Sequence, residues 1–187
     1  MTGQRKNVVV VSPSRLHFGL LQLSAEFTTL NMGIGACTSR PRWVLSLRRS
    51  SKNDMSVRSS CPVLADDILQ SATNVLDRLT GELDGNCFAL EIMEGVPSHK
   101  GLGSKTSLLC GIIAGAISLD GRAEEWPTYL PLSKRGGTSG IGYNTAVRGG
   151  FLLDSGHFES PGNRIAGPSR ARVPHALSYA APTLPAD

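Results

Sequence analysis

At 187 residues, 40% hydrophobic and 18% charged, the chain has the bulk of one folded domain with a short appendage and is too apolar for a disordered segment. A net charge of +4 favours anionic small molecules, but the one basic run, Arg48, Arg49 and Lys52, has no interleaved aromatics, so nucleic acid is not an expected partner. Cys37, Cys61, Cys87 and Cys110 form no C-x-x-C pair, which suits a reducing cytoplasm over a zinc or disulfide scaffold, and the longest apolar stretch, Leu108 to Leu119, is too short to span a bilayer.

Val8 to Val11 is a β-branched run and predicts a buried strand. Arg15 to Leu23 opens with alternating polar and apolar residues and predicts a second. Gly33 to Cys37 and Trp43 to Leu47 predict two more, and the serines and charges of residues 50–60 a loop. Leu64, Ile68, Leu69, Ala72, Val75, Leu76 and Leu79 form one apolar stripe of helical period, with Gly81 placed as a C-terminal cap. Phe88, Leu90 and Ile92 alternate as a strand. A glycine-rich loop follows, then a helix over Ser104 to Leu119 whose Gly111, Ala114 and Gly115 give a smooth face for a sheet. A short helix over 141–147 leads into the strand Phe151 to Leu153. This order predicts an α+β domain, a mixed sheet with helices on one face, over residues 1–154. Residues 155–187 hold five of the eleven prolines and no apolar period, and predict an irregular tail.

The segment Pro97-Ser98-His99-Lys100-Gly101-Leu102-Gly103-Ser104-Lys105-Thr106 carries the chemistry. It follows a strand and opens a helix. Glycines allow successive N–H groups to converge, the helix N-terminus adds partial positive charge, Ser104 and Thr106 add hydroxyl donors, and Lys100 and Lys105 add mobile cations. Together these suit a phosphate or pyrophosphate. A plain strand-to-helix turn with a Ser N-cap is the alternative. Arg15 and His17, two apart on a strand, share a face and can converge on a carboxylate or phosphate. His17 and His99 are candidate acid–base groups near neutral pH. Arg135 is a further candidate for an anion.

PSHKGLGSKTS resembles the second motif of the GHMP kinases. SPSRLHFGLLQL, MGIGACTSRP and RGGTSGIGYNTAVRGGFLLDSGH resemble, in order, three segments of the β-ribofuranosylaminobenzene 5′-phosphate synthases, a branch of that superfamily, and cover residues 8–157. The resemblance implies the GHMP N-terminal fold, similar to the second domain of ribosomal protein S5. It implies condensation of phosphoribosyl pyrophosphate with 4-hydroxybenzoate or 4-aminobenzoate, with release of pyrophosphate and CO2, in methanopterin-type cofactor synthesis. Arg15, His17 and His99 are then the catalytic candidates. Residues Lys100, Gly101, Leu102, Gly103, Ser104, Lys105, Thr106, Ser139 and Gly140 are the phosphate-binding candidates. Mg²⁺ is the implied cofactor, with Ser104 as its candidate ligand, and a homodimer is left open.

Gly142 stands where a GHMP kinase would place its catalytic Asp, which favours the synthase over an ATP-dependent small-molecule kinase. Both remain open, as does an inactive phosphate-binding fragment. Lys105 and Ser107 depart from the synthase pattern, as do Asn31-Met32-Gly33 and Ser155-Gly156-His157. Nothing after His157 resembles the family's second, ferredoxin-like domain. A truncated or frame-shifted coding sequence is therefore expected, and with it an exposed apolar surface.

Overall fold

The computed structural model describes residues 7–21, 29–30, 32–135, 140–154, 157–158 and 179–180. The elements are β1 (Val8–Leu21), β2 (Thr29–Leu30), β3 (Met32–Ser50), β4 (Asp54–Val57), α1 (Asp66–Glu82), β5 (Cys87–Glu94), α2 (Ser104–Leu119), a 3₁₀ segment (Ala123–Ser133), α3 (Ile141–Arg148), β6 (Phe151–Asp154), β7 (His157–Phe158) and β8 (Tyr179–Ala180). The chain is α+β, with a mixed sheet as the sequence predicts.

β3 organises the sheet. Along one edge it pairs with β1, antiparallel, and on the other with β5 through residues 44–50 and with β6 through residues 33–36. β4 lies parallel to β5 within the segment read as a loop. The strands read separately as 8–11 and 15–23 are one element, as are those at 33–37 and 43–47. Polar residues and a proline divided them in the sequence, but pairing across β1 and β3 continues on both sides of the interruption.

That interruption sets which residues meet the helices. Pro13 pairs with Arg42 and Ser14 with Thr38, so Ser39, Arg40 and Pro41 bulge out of β3. Before the bulge Val9 and Val11 face solvent, and Val8 and Val10 pack on the core. After it the alternation is reversed. Leu16 and Phe18 face solvent, while Arg15 and His17 turn to the helix side. Phe151 and Leu153 are exposed on β6, and the Phe18 and Phe151 ring centroids lie 6.2 Å apart. The sheet thus has one helix-covered face and one open face with apolar patches.

α2 is apolar all round and buried on almost every side. A Cβ on Gly111 would sit 2.9 Å from Leu45, and one on Gly115 2.6 Å from Leu47, so the missing side chains let the helix lie against β1 and β3. Trp43, fully buried, donates from Nε1 to the Ser104 carbonyl (3.0 Å) and Ser107 Oγ (3.1 Å), and Ser12 Oγ donates to the Ser107 carbonyl (2.8 Å). These bonds pin the first turn of α2 over the sheet. α1 packs beside α2 and against β5, burying the helical part of its predicted stripe. Gly81 lies inside α1, not beyond it. The left-handed residues that turn the chain are Asp84 and Gly85. Within 155–187 the described pairs are β7 with β2 and β8 with β6. Among the described residues no helix is long and apolar enough to cross a membrane.

α3 sits on two glycines of β3. A Cβ on Gly35 would lie 2.3 Å from Ile141 Cγ2 and 2.8 Å from the Leu16 carbonyl oxygen, and one on Gly33 3.3 Å from Ile141. Gly35→Ala should therefore overpack this seat by about 1–3 kcal/mol and lower the melting midpoint by roughly 2–10 °C. A circular-dichroism melt checks this, and an unchanged midpoint would refute the close seating of α3.

Candidate active site

β5 ends at Glu94, and the chain crosses to α2 through the glycine loop. The Arg15 backbone N–H donates to the Leu102 carbonyl (3.0 Å), tying the loop to β1. Gly103, the residue before α2, is left-handed at φ +67°, a conformation glycine adopts without a Cβ penalty. A Cβ there would lie 2.7 Å from Arg15 Nε, and one on Gly142, in the first turn of α3, 2.8 Å from the same atom. The Arg15 side chain is thus enclosed between the N-terminal ends of α2 and α3.

Arg15 Nε is buried and has no hydrogen-bond partner among the described residues. Burial, and then the nearby Arg135, push its pKa below the ordinary arginine value. The group remains a cation at neutral pH. A buried cation repelled by a second cation is costly unless an anion completes the site. Arg135 is itself held by its Nε bond to Thr106 Oγ1 (3.2 Å).

His17 lies next along the same face, 3.1 Å from where a Gly33 Cβ would be. Burial lowers its pKa, Arg15 lowers it further, and Asp154 opposes both. Asp154, 1% exposed, accepts from the Gly140 N–H at the start of α3 (2.6 Å). Its partner strand position is Gly33. Sequence reasoning did not single out Asp154. Its place at the end of an apolar strand, inside the block RGGTSGIGYNTAVRGGFLLDSGH, was the available signal.

The other predicted residues divide. Ser104 and Thr106 are buried beneath the loop, and Gly101 and Lys100 are exposed at its tip. His99 and Lys105 turn away from Arg15. His99 Nε2 and Lys105 Nζ each lie 3.1 Å from a carboxylate oxygen of Asp67 in the first turn of α1. Lys105, aided by His99, holds the Asp67 carboxyl below its ordinary pKa. Gly140 is present, with its amide engaged by Asp154. Ser139 lies outside the described residues.

Mg²⁺ is usually held by one or two carboxylates together with substrate phosphates. Among the described residues no group of three or more His, Cys, Asp or Glu could hold a metal. Ser104 is followed by Lys105, and Thr106 carries Arg135.

No protein-family model matches the chain. It is 30% identical over 164 residues to a β-ribofuranosylphenol 5′-phosphate synthase of Methanocaldococcus jannaschii, covering 80% of this chain and 47% of that protein. It is 29% identical over 157 residues to the synthase of the same name from Methanothermobacter thermautotrophicus, covering 80% and 46%. The chain thus spans about half the length of the curated relatives it matches. In structure it is similar to a mevalonate kinase of Staphylococcus aureus (TM-score 0.60, 16% identity, 83% of this chain and 55% of that one). It is also similar to a homoserine kinase of Cytophaga hutchinsonii (TM-score 0.57, 17% identity, 82% and 50%). The fold is that of the GHMP kinases, and the relatives in sequence are synthases.

The lowered pKa of His17 has a sign. Above pH about 6.5 folded and unfolded chains both carry it neutral. As pH falls below that value the unfolded chain takes up a proton that the folded chain resists, so stability drops. Melts across pH 7.5 to 5 should show a decline that His17→Gln reduces, and an identical decline in the variant would refute the assignment.

Proposed function

We propose that this chain is a phosphoribosyl-transferring synthase of the β-ribofuranosylphenol 5′-phosphate type. It would condense phosphoribosyl pyrophosphate with 4-hydroxybenzoate or 4-aminobenzoate, release pyrophosphate and CO2, and serve the synthesis of methanopterin-type one-carbon carriers. The observation that carries the reading is the enclosed Arg15, whose Nε has no hydrogen-bond partner among the described residues and which faces a glycine at position 142, not a carboxylate. A site for phosphorylating an alcohol needs a base for the hydroxyl. Here the space for a side chain at 142 is taken by a cation, which suits an anionic substrate.

The chemistry follows from that charge. As the bond between the ribose anomeric carbon and pyrophosphate lengthens, negative charge gathers on the leaving group and positive charge on the sugar ring. The Arg15 guanidinium and the N–H groups at the start of α2 stabilise the former. The ring carbon of the acceptor that bears the carboxylate then bonds to the anomeric carbon. CO2 leaves, and its bonding electron pair returns to the ring. His17, kept neutral by burial and Arg15, accepts a proton from the acceptor's hydroxyl or amino group, which enriches the ring in electrons. Mg²⁺, if bound with the pyrophosphate beside Ser104, would add positive charge to the leaving group. The relatives' name, a ribofuranosylphenol phosphate synthase, favours the hydroxy acid as acceptor.

Phosphoribosyl pyrophosphate at about a hundred times its Kd should stabilise the purified chain by about 2.7 kcal/mol, a rise of several degrees in the melt, and ATP should not. Arg15→Gln, and Gly142→Asp, which sets a carboxylate against Arg15, should abolish that response while the melt stays cooperative. A shift with ATP and none with phosphoribosyl pyrophosphate would overturn the reading in favour of a kinase.

A further inference from the structure

A cleft of about 200 Å³ opens on the side of α2 away from the sheet. Four cations line it: Arg78 from α1, Lys105 from the first turn of α2, and Lys134 and Arg135 just past the 3₁₀ segment. Its remaining lining is Ser71, Asn74, Leu109 and Ser133, so among the described residues no carboxylate lines the cavity. Asp67 meets Lys105, but from an exposed position outside the lining.

The local structure fixes the backbone that carries Lys134 and Arg135, both exposed, and the guanidinium of Arg78. Lys134 is left-handed at φ 51°, which ends the 3₁₀ segment and turns the chain back, and its N–H donates to the Pro131 carbonyl (3.0 Å). The Arg135 N–H donates to Ser133 Oγ (3.2 Å). Arg78 Nη1 donates to the Leu132 carbonyl (2.8 Å), fixing α1 to the end of the same segment. Like charges gathered from three elements repel one another, and an anion between them removes that cost. The volume lies below the roughly 300–1,000 Å³ of sites for drug-sized ligands. It suits a single phosphate or diphosphate group.

We infer that this cleft between α1, α2 and the end of the 3₁₀ segment is a second anion seat, for a phosphate monoester or diphosphate group, separate from the Arg15 enclosure. Arg135 belongs to both surroundings. It lines the cleft, bonds Thr106 on α2, and lies close enough to Arg15 to repel it. A substrate phosphorylated at two ends would engage one seat with each end. The inference deepens the transferase reading by naming where the second phosphate is held, but the seat itself follows from the cavity and its charges.

Isothermal titration of the 187-residue chain with inorganic diphosphate, and separately with ribose 5-phosphate, tests the seat. The variants are Lys134→Gly, which keeps the left-handed backbone, Arg135→Gln, and the pair combined. Lys52→Ala, on the turn after β3, removes the same single charge far from the lining residues in sequence. The double variant should weaken binding of one ligand at least tenfold and flatten its dependence on salt, with Lys52→Ala unchanged. The ligand that loses affinity identifies the group held. Lys134→Gly alone, expected to weaken binding severalfold, serves as the readout if the pair fails to melt cooperatively. Wild-type affinity in the cleft variants, an equal loss in Lys52→Ala, or no binding of either ligand to the native chain would overturn the second seat. Loss of diphosphate binding in these variants alongside a chain that ignores phosphoribosyl pyrophosphate would retain the seat and sink the transferase.

Discussion

The Arg15 guanidinium occupies space that exists only because positions 103 and 142 have no side chains. A Cβ at either would come within 2.8 Å of Nε. Those two positions open α2 and α3, so two helix N-termini meet over one strand. Each helix is held there separately. Trp43 and Ser12 tie down the first turn of α2, and Asp154 takes the Gly140 N–H at the start of α3 while Ile141 settles on Gly33 and Gly35. Moving any of these contacts would open the enclosure and return Arg15 to water, where a guanidinium needs no anionic partner.

The three-residue bulge of β3 at Ser39 to Pro41 gives the same strand two faces in succession. Before it β1 offers Val8 and Val10 to the core, and after it Arg15 and His17 to the helices. The reversal leaves Leu16 and Phe18 on the open side, where Phe18 meets Phe151. The inward turn of Arg15 and His17 and the exposure of Leu16 therefore go together, and a second register shift between His17 and Gly19 falls at Phe18. An unbroken alternation would have placed Arg15 and His17 beside Val9 and Val11.

Charge is sorted by position around α2. The described carboxylates near the glycine loop are engaged elsewhere. Asp67 holds Lys105 and His99 at the start of α1, and Asp154 faces the Gly140 amide and lowers the net effect of Arg15 on His17. Among the described residues the cations Arg15, Arg135, Lys134 and Arg78 make no salt bridge to a carboxylate, and they border the loop and the cleft beside it. Uncancelled positive charge around a helix N-terminus is chemistry for holding phosphate, while the surplus over the whole chain is only +4.

Periodicity in the sequence was enough to locate α1 and β5, because an element that buries one face must repeat its apolar residues at its own period, while α2 and β6 were legible as apolar runs. The glycine loop, Arg15 and His17 were legible as motifs for the same reason that their spacing is local. β4 was not, since Asp54 to Val57 gains its strand character only from β5 beside it. Nor was the separation of His99 and Lys105 from Arg15, although Lys105 lies two residues past Gly103, because α2 turns its side chains in different directions. Sequence by itself determined the helices, most of the strand segments, the glycine loop and the supply of cations. The phase of β1 past its bulge, the enclosure of Arg15 and the union of Arg78 with Lys134 and Arg135 were decided only by tertiary structure, because they join residues far apart in the chain through contacts that no local pattern encodes.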